Sequence, residues 1–107
     1  MAFDAQEAAL TVLEQLAPVE AKLRQKRKSL ADEVERAAVS VALNISEGRQ
    51  RKGLDRPDFY RRAAGSAAEL TTALRIARAR GIITAADFAA VEAPLDRVRA
   101  MLWRLTH

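Results

Sequence analysis

Between positions 49 and 62 the chain carries Arg49, Arg51, Lys52, Arg56, Arg61 and Arg62, a run of cations whose most direct chemistry is the holding of phosphates. Each Lys or Arg that neutralises a nucleic-acid phosphate releases condensed counterions. Such a patch predicts binding to RNA or DNA backbone that weakens with salt and reads no base sequence. A second group comprises Lys22, Arg24, Lys26, Arg27 and Lys28, with Arg75, Arg78 and Arg80 much further along. The last three also suit a helix C-terminus, which accounts for them without a ligand. Base stacking needs aromatic rings, and beside the first patch Phe59 and Tyr60 are the candidates.

Catalytic chemistry has little to work with. The chain has 0 Cys, its single His is His107, and it has neither a G-x-S-x-G elbow nor a phosphate-binding glycine loop, so no enzyme is expected. Glu47 and Glu69 suggest a carboxylate metal centre, but iron-binding bundles pair such residues with Glu-x-x-His, which this chain lacks. Neither a metal nor a cofactor nor a small-molecule substrate is expected. The absence of Cys suits a reducing cytosol. Met1 to Leu10 holds Asp4 and Glu7 but no Lys or Arg, unlike a signal peptide, and no apolar run approaches the ~20 residues that span a bilayer. The expectation is a cytoplasmic protein with no membrane contact. A formal charge of +4 is modest, so the placement of cations matters more than their sum.

Helices must position these groups. With 107 residues, positions 1–107 read as one domain around one core. Half the residues are hydrophobic but only 5% aromatic, with 4 Gly and 3 Pro, which leaves the strong helix formers Ala, Leu, Arg and Glu dominant. A first helix is predicted from Phe3 or Asp4, with a stripe through Leu10, Leu13, Leu16 or Ala17, and Leu23. Pro18 should interrupt it, leaving Lys22 to Lys28 as a fraying linker. Ser29 and Asp32 have the spacing of a capping box for a second helix, with Leu30, Val34, Ala37, Val41 and Ile45 inward and Gly48 as its left-handed cap. Arg49 to Arg56 reads as a loop. A third helix opens at Asp55 to Pro57 and runs through Phe59, Ala63, Ala67, Leu70, Leu74 and Ala77 to Arg80, closed by Gly81. Thr84 and Asp87 cap a fourth, with Ile83 and Phe88 as a hydrophobic staple. Its heptad stripe is Phe88, Val91, Leu95, Val98, Leu102 and Leu105, with a bend expected at Pro94. Short connections then predict an all-α, antiparallel up-down-up-down four-helix bundle.

Ala37 to Ile45 holds no charge for more than two turns, so Val39 and Leu43 lie beside the core stripe with nothing in a four-helix bundle to cover them. They are candidates for a homo-oligomer interface. Ala63 to Ala68 is a run of small residues in which Gly65 contradicts helix propensity, predicting close packing on that face. Among polar positions inside these helices, Arg36 is expected to pair with Glu69, and Glu47 with Arg61 or Arg62, while Asn44 satisfies buried groups. Helix-turn-helix recognition is excluded at the fourth helix, whose first turns offer Ala85, Ala86, Asp87, Ala89, Ala90 and Glu92 where base contacts need donors.

Five segments together resemble a known family: Arg36 to Val41, Asn44 to Arg49, Asp58 to Arg61, Ala64 to Leu70, and Leu74 to Ala77 through Gly81. The family comprises the four-helix bundle proteins named after the intervening sequences of bacterial 23S rRNA genes, and it also includes the accessory protein of diversity-generating retroelements. The motif positions carried over are Asn44, Glu47, Gly48, Gly65, Ser66 and Glu69. This chain differs in a first helix poor in aromatics and in Ala42, near where the family has Pro. The resemblance implies a bundle assembled into a homo-oligomeric ring, pentameric where family members are known, with nucleic-acid and reverse-transcriptase binding attributed to the retroelement branch. The leading expectation is therefore a non-enzymatic homo-oligomer presenting basic patches to RNA or DNA. A protein-interaction scaffold without nucleic acid is the alternative.

Overall fold

Apolar residues at three and four residue spacing give each segment one face to bury, and helices follow. The computed structural model describes residues 2–107, with side chains described from Ala5 onward; Met1, the first position of the expected domain, lies outside the described residues. All regular structure among them is helical: α1 (Ala2–Lys26), α2 (Lys28–Gln50), α3 (Arg56–Ala79) and α4 (Ala85–Thr106). α1 packs on α2 and α4, and α3 packs on the same two, around one shared apolar core. None of these helices is long and apolar enough to cross a membrane.

The stripes expected in α2, α3 and α4 pack in the core, with Leu30, Phe88 and Leu105 only partly buried, except that Phe59 of the α3 stripe lies outside the core, half-buried under Arg51 and Arg62. α1 differs. Its buried face is Ala5, Ala8, Ala9, Val12, Leu16, Val19 and Leu23, whereas Leu10 is exposed and Leu13 half-buried. Alanines and valines share the seam there with Leu16 and Leu23 while Leu10 and Leu13 flank it, so reading the largest apolar residues as the core set the face slightly off.

Pro18 does not break α1. Pro18 and Glu14, the residue whose carbonyl loses its partner, are both exposed, so water can replace the bond that the ring removes. Nor does the basic segment fray. Helix continues to Lys26, and one non-helical residue, Arg27, separates α1 from α2. The Ser29 capping box is absent too: Asp32 instead accepts from Arg24 at 2.6 Å and Lys28 at 3.1 Å, which hold its carboxyl below its ordinary range. The linear run of cations looked like a linker because its carboxylate partners are on other turns.

Two helix ends form as expected. At the end of α3, Gly81 has φ +72°, Ile82 N–H donates to Ala77 O at 2.9 Å and Gly81 N–H to Arg78 O at 3.1 Å, the paired bonds of a Schellman motif. At Thr84, Asp87 N–H donates to the hydroxyl and Thr84 N–H to the Asp87 carboxylate, both at 3.0 Å. Lys22 adds an ion pair to Asp87 at 2.9 Å, tying the end of α1 to the start of α4.

This cap sets an acid limit. The Thr84 amide, and then Lys22, hold the Asp87 carboxyl below its ordinary value of 3.8. A depressed folded value contributes stability that is complete above the unfolded value and is lost as pH falls through the folded one. Thr84→Ala is expected to cost about 1 kcal/mol at neutral pH. Asp87→Asn should also destabilise at neutral pH, and in thermal melts the gap from the parent should narrow below roughly pH 4, where the parent's own carboxyl protonates. A gap independent of pH would rule out the ionic part.

Candidate nucleic-acid interface

The six cations between positions 49 and 62 occupy the end of α2, the connection 51–55 and the first turns of α3. α2 runs past Gly48 to Gln50, and the left-handed glycine is Gly53, at φ +102°, in the connection. Gly48 serves a different purpose. It is buried in α2 with the ring of Tyr60 against it, so close that a Cβ there would stand 2.6 Å from Tyr60 Cε1. Only a hydrogen at that position lets the two helices meet around the ring.

The cations are not equivalent. Arg56 donates from Nε to Gly48 O at 2.9 Å and from Nη2 to Arg49 O at 3.3 Å, satisfying carbonyls that α2 leaves open at its end. Arg51 pairs with Asp55 at 3.2 Å and Glu47 at 3.6 Å, and its guanidinium lies 4.7 Å from the centre of the Phe59 ring. Arg62 lies 4.7 Å from the same ring, so Phe59 holds two cations in place. Arg61 pairs with Asp58 at 2.9 Å, and Arg49 donates to the Gln6 amide of α1. Lys52 is exposed and has no ion pair among the described residues. Six cations against Glu47, Asp55 and Asp58 leave this surface positive.

The expected bridge from Glu47 to Arg61 or Arg62 is not formed. Each has a partner within four positions on its own segment, Arg51 for Glu47, Asp58 for Arg61 and Phe59 for Arg62, which needs less ordering than a reach between helices. Tyr60 is not available for base stacking either, being 2% exposed, and its hydroxyl has no hydrogen-bond partner among the described residues. Phe59 is half-buried under its two guanidiniums.

The other basic group is neutralised in part, with Lys26, Arg27, Arg75, Arg78 and Arg80 in no ion pair among the described residues. Arg24 reaches Asp32 at 2.6 Å, Glu20 at 3.3 Å and Glu35 at 3.7 Å, and Lys28 and Lys22 are paired as described above. Arg75, Arg78 and Arg80 are exposed.

Along the contact of α2 with α3 lie the motif residues Asn44, Ser66 and Glu69. Arg36 donates to Glu69 at 2.7 Å, as expected, and to Glu33 at 2.6 Å; the Glu33 bond, and then the Glu69 bond, keep the guanidinium protonated, and the Arg36 bond holds the Glu33 carboxyl below its ordinary range. Ser40 and Ser66 share a hydroxyl bond of 2.7 Å, and Asn44 Nδ2 donates to the Ser40 carbonyl and hydroxyl at 2.9 and 3.1 Å. Glu47 stays outside this chain of bonds. Gly65 is exposed, with open space where a Cβ would stand, so the close packing expected there is not made within one chain. Val39 and Leu43 are 40% and 62% exposed and line a shallow groove with Ser40 and Asn44.

Two features went unread in the sequence. Arg56 counted as a phosphate ligand, and its position eight residues after Gly48 carries no signal of a capping role. Trp103, 61% exposed, did have one: it falls outside the heptad stripe through Leu102.

Among curated proteins none matches the chain. One family model does, over residues 3–104, nearly the whole chain including α1 and α4, which hold none of the motif residues. With four helices around one core and Asn44, Gly48, Ser66 and Glu69 gathered where α2 meets α3, the chain belongs to the family of the 23S rRNA-intervening sequence protein.

Proposed function

We propose that this protein is a non-enzymatic, homo-oligomeric helical bundle of the cytoplasm that binds RNA or DNA backbone through the basic surface where α2 meets α3. The observation that carries the reading is the excess of cations over carboxylates there, with Lys52 unpaired and Arg51 and Arg62 laid on Phe59. Guanidiniums held on a ring are already ordered, so less side-chain freedom is lost when a phosphate arrives. Binding of labelled RNA or DNA at low salt that falls steeply as salt rises tests it, together with the charge reversal of Arg49, Arg51 and Lys52 treated below. No shift of either nucleic acid at low salt would favour the protein-interaction scaffold.

The bundle is proposed to be antiparallel, up-down-up-down. Contacts of Arg36 with Glu69, Ser40 with Ser66 and Gly48 with Tyr60 support this, since positions rise along α2 as they fall along α3. Copies are proposed to assemble through Val39 and Leu43 into a ring, pentameric as the family resemblance implies. Repetition around a ring would multiply a weak patch into useful avidity. Leu43→Glu should convert the assembly to monomer by light scattering while the helical circular dichroism persists. Parent protein that is monomeric at micromolar concentration would refute the assembly.

A further inference from the structure

α4 presents an outward face that the core does not use. Arg97, Ala100, Trp103, Arg104 and His107 are all exposed, and at 100° per residue they fall within about a third of the helix circumference. Arg97 and Arg104 have no ion pair among the described residues, and the carboxylate on this side, Asp96, is bound by Arg99 at 3.1 Å. Trp103 is 61% exposed, an unusual place for the only Trp of the chain. The His107 ring stacks on it with centroids 4.5 Å apart and planes within 9°. The stack is held: His107 Nδ1 lies 3.0 Å from the Trp103 carbonyl and 3.1 Å from the Thr106 hydroxyl.

We infer that this face of α4 is a stacking site for unpaired bases, which makes single-stranded nucleic acid the ligand class of this protein. The inference rests on the phosphate-binding reading above and adds to it a second surface with a different chemistry. A planar, pre-ordered aromatic pair flanked by two uncommitted guanidiniums offers what a single strand needs, a π face for the base and charge for the neighbouring phosphates. Every base has such a face, so the site tolerates any sequence. Bases inside a duplex are already stacked on each other and do not reach it. Its place in the fold fits the proposed basic surface. Asp87 ties the start of α4 to the end of α1, α4 extends about 33 Å from there at 1.5 Å per residue, and Gln6 near the start of α1 meets Arg49. The α2–α3 connection and the end of α4 therefore lie at the same end of the bundle.

Trp103 reports on its own site. With the full chain, a short oligothymidylate, a duplex of equal length and heparin are the probes. The single strand should quench Trp103 emission, whereas heparin, a polyanion without bases, should bind without quenching. Trp103→Ala should weaken oligothymidylate binding on the order of ten-fold by anisotropy of the labelled strand, leave duplex and heparin binding unchanged, and be largely rescued by Trp103→Phe. Because the side chain is exposed, the helical circular dichroism of the variants should match the parent. Equal binding of the single strand by Trp103→Ala, or equal quenching by heparin, overturns the inference. If reversal of Arg49, Arg51 and Lys52 abolishes binding of all three probes while Trp103→Ala changes none, the phosphate reading stands and the stacking site falls. If the reversal changes nothing and Trp103→Ala alone weakens the single strand, the stacking site stands and the phosphate surface is misplaced. If the parent binds none of the probes, both fall.

Discussion

Gly48→Ala is expected to lower stability by about 2 kcal/mol, against the ordinary preference of a helix for alanine. In an open helix interior the exchange would gain about 1 kcal/mol. Here the added methyl would stand 2.6 Å from Tyr60 Cε1 and 2.9 Å from Cδ1 and Cζ, closer than such atoms approach. The ring cannot swing away cheaply, since Tyr60 is buried and packed in the core. Overpacking of this kind typically costs about 1–3 kcal/mol, so the clash outweighs the propensity. Urea denaturation midpoints measure it, with Tyr60→Leu as the second arm. Without the ring, Gly48→Ala should be neutral or favourable, and the two substitutions should be strongly non-additive. A Gly48→Ala protein as stable as the parent would mean that the helices can separate at that point without cost.

Joint reversal of Arg49, Arg51 and Lys52 to Glu is expected to abolish nucleic-acid binding at low salt with the helical content preserved. Three cations become three anions beside Glu47, Asp55 and Asp58, and the surface turns from positive to strongly negative. Arg56 is left in place because its bonds to the Gly48 and Arg49 carbonyls hold the end of α2. Arg51 does lose exposed pairs with Glu47 and Asp55, but pairs of that kind contribute roughly 0–1 kcal/mol. Neutral replacements give a graded version. If each of the three contacts one phosphate, changing them to Gln should flatten the slope of log affinity against log salt by about 2–3. Unchanged affinity in the reversed protein would remove the phosphate-binding surface from this end of the molecule.

Sequence reasoning succeeded where one local rule had no competitor. Thr84 and Asp87 cap α4 because no other group displaces either bond, and Lys22 adds to the arrangement. Gly81 ends α3 since only a residue tolerant of positive φ allows the paired carbonyl bonds. Ser29 and Asp32 have the same spacing as a cap and fail, because Arg24 and Lys28 take the carboxylate and the chain turns two residues earlier, at Arg27. Gly48 looked like a helix end because the need for a bare Cα was visible but its cause, a ring on another helix, was not. The candidate site was legible as charge and much less as geometry. Nothing in the spacing of Arg51, Phe59 and Arg62 announces that two guanidiniums share one ring, and the commitment of Arg56 to backbone carbonyls exists only once α2 has ended beside it.

The single residue between α1 and α2 bears on how the chain finds this arrangement. Ordering a connection costs conformational entropy for every residue it fixes, and closing a loop costs more as the loop lengthens, roughly with the logarithm of its length. At Arg27 there is almost no loop to close, so α1 and α2 meet as soon as both are helical. The connections 51–55 and 80–84 ask for somewhat more. The seam of α1 with α4, joined by Lys22 and Asp87 across 65 positions of chain, is the contact whose closure costs most if formed alone. With α2 and α3 already in place, most of that cost has been met, and the last seam closes over a short remaining distance.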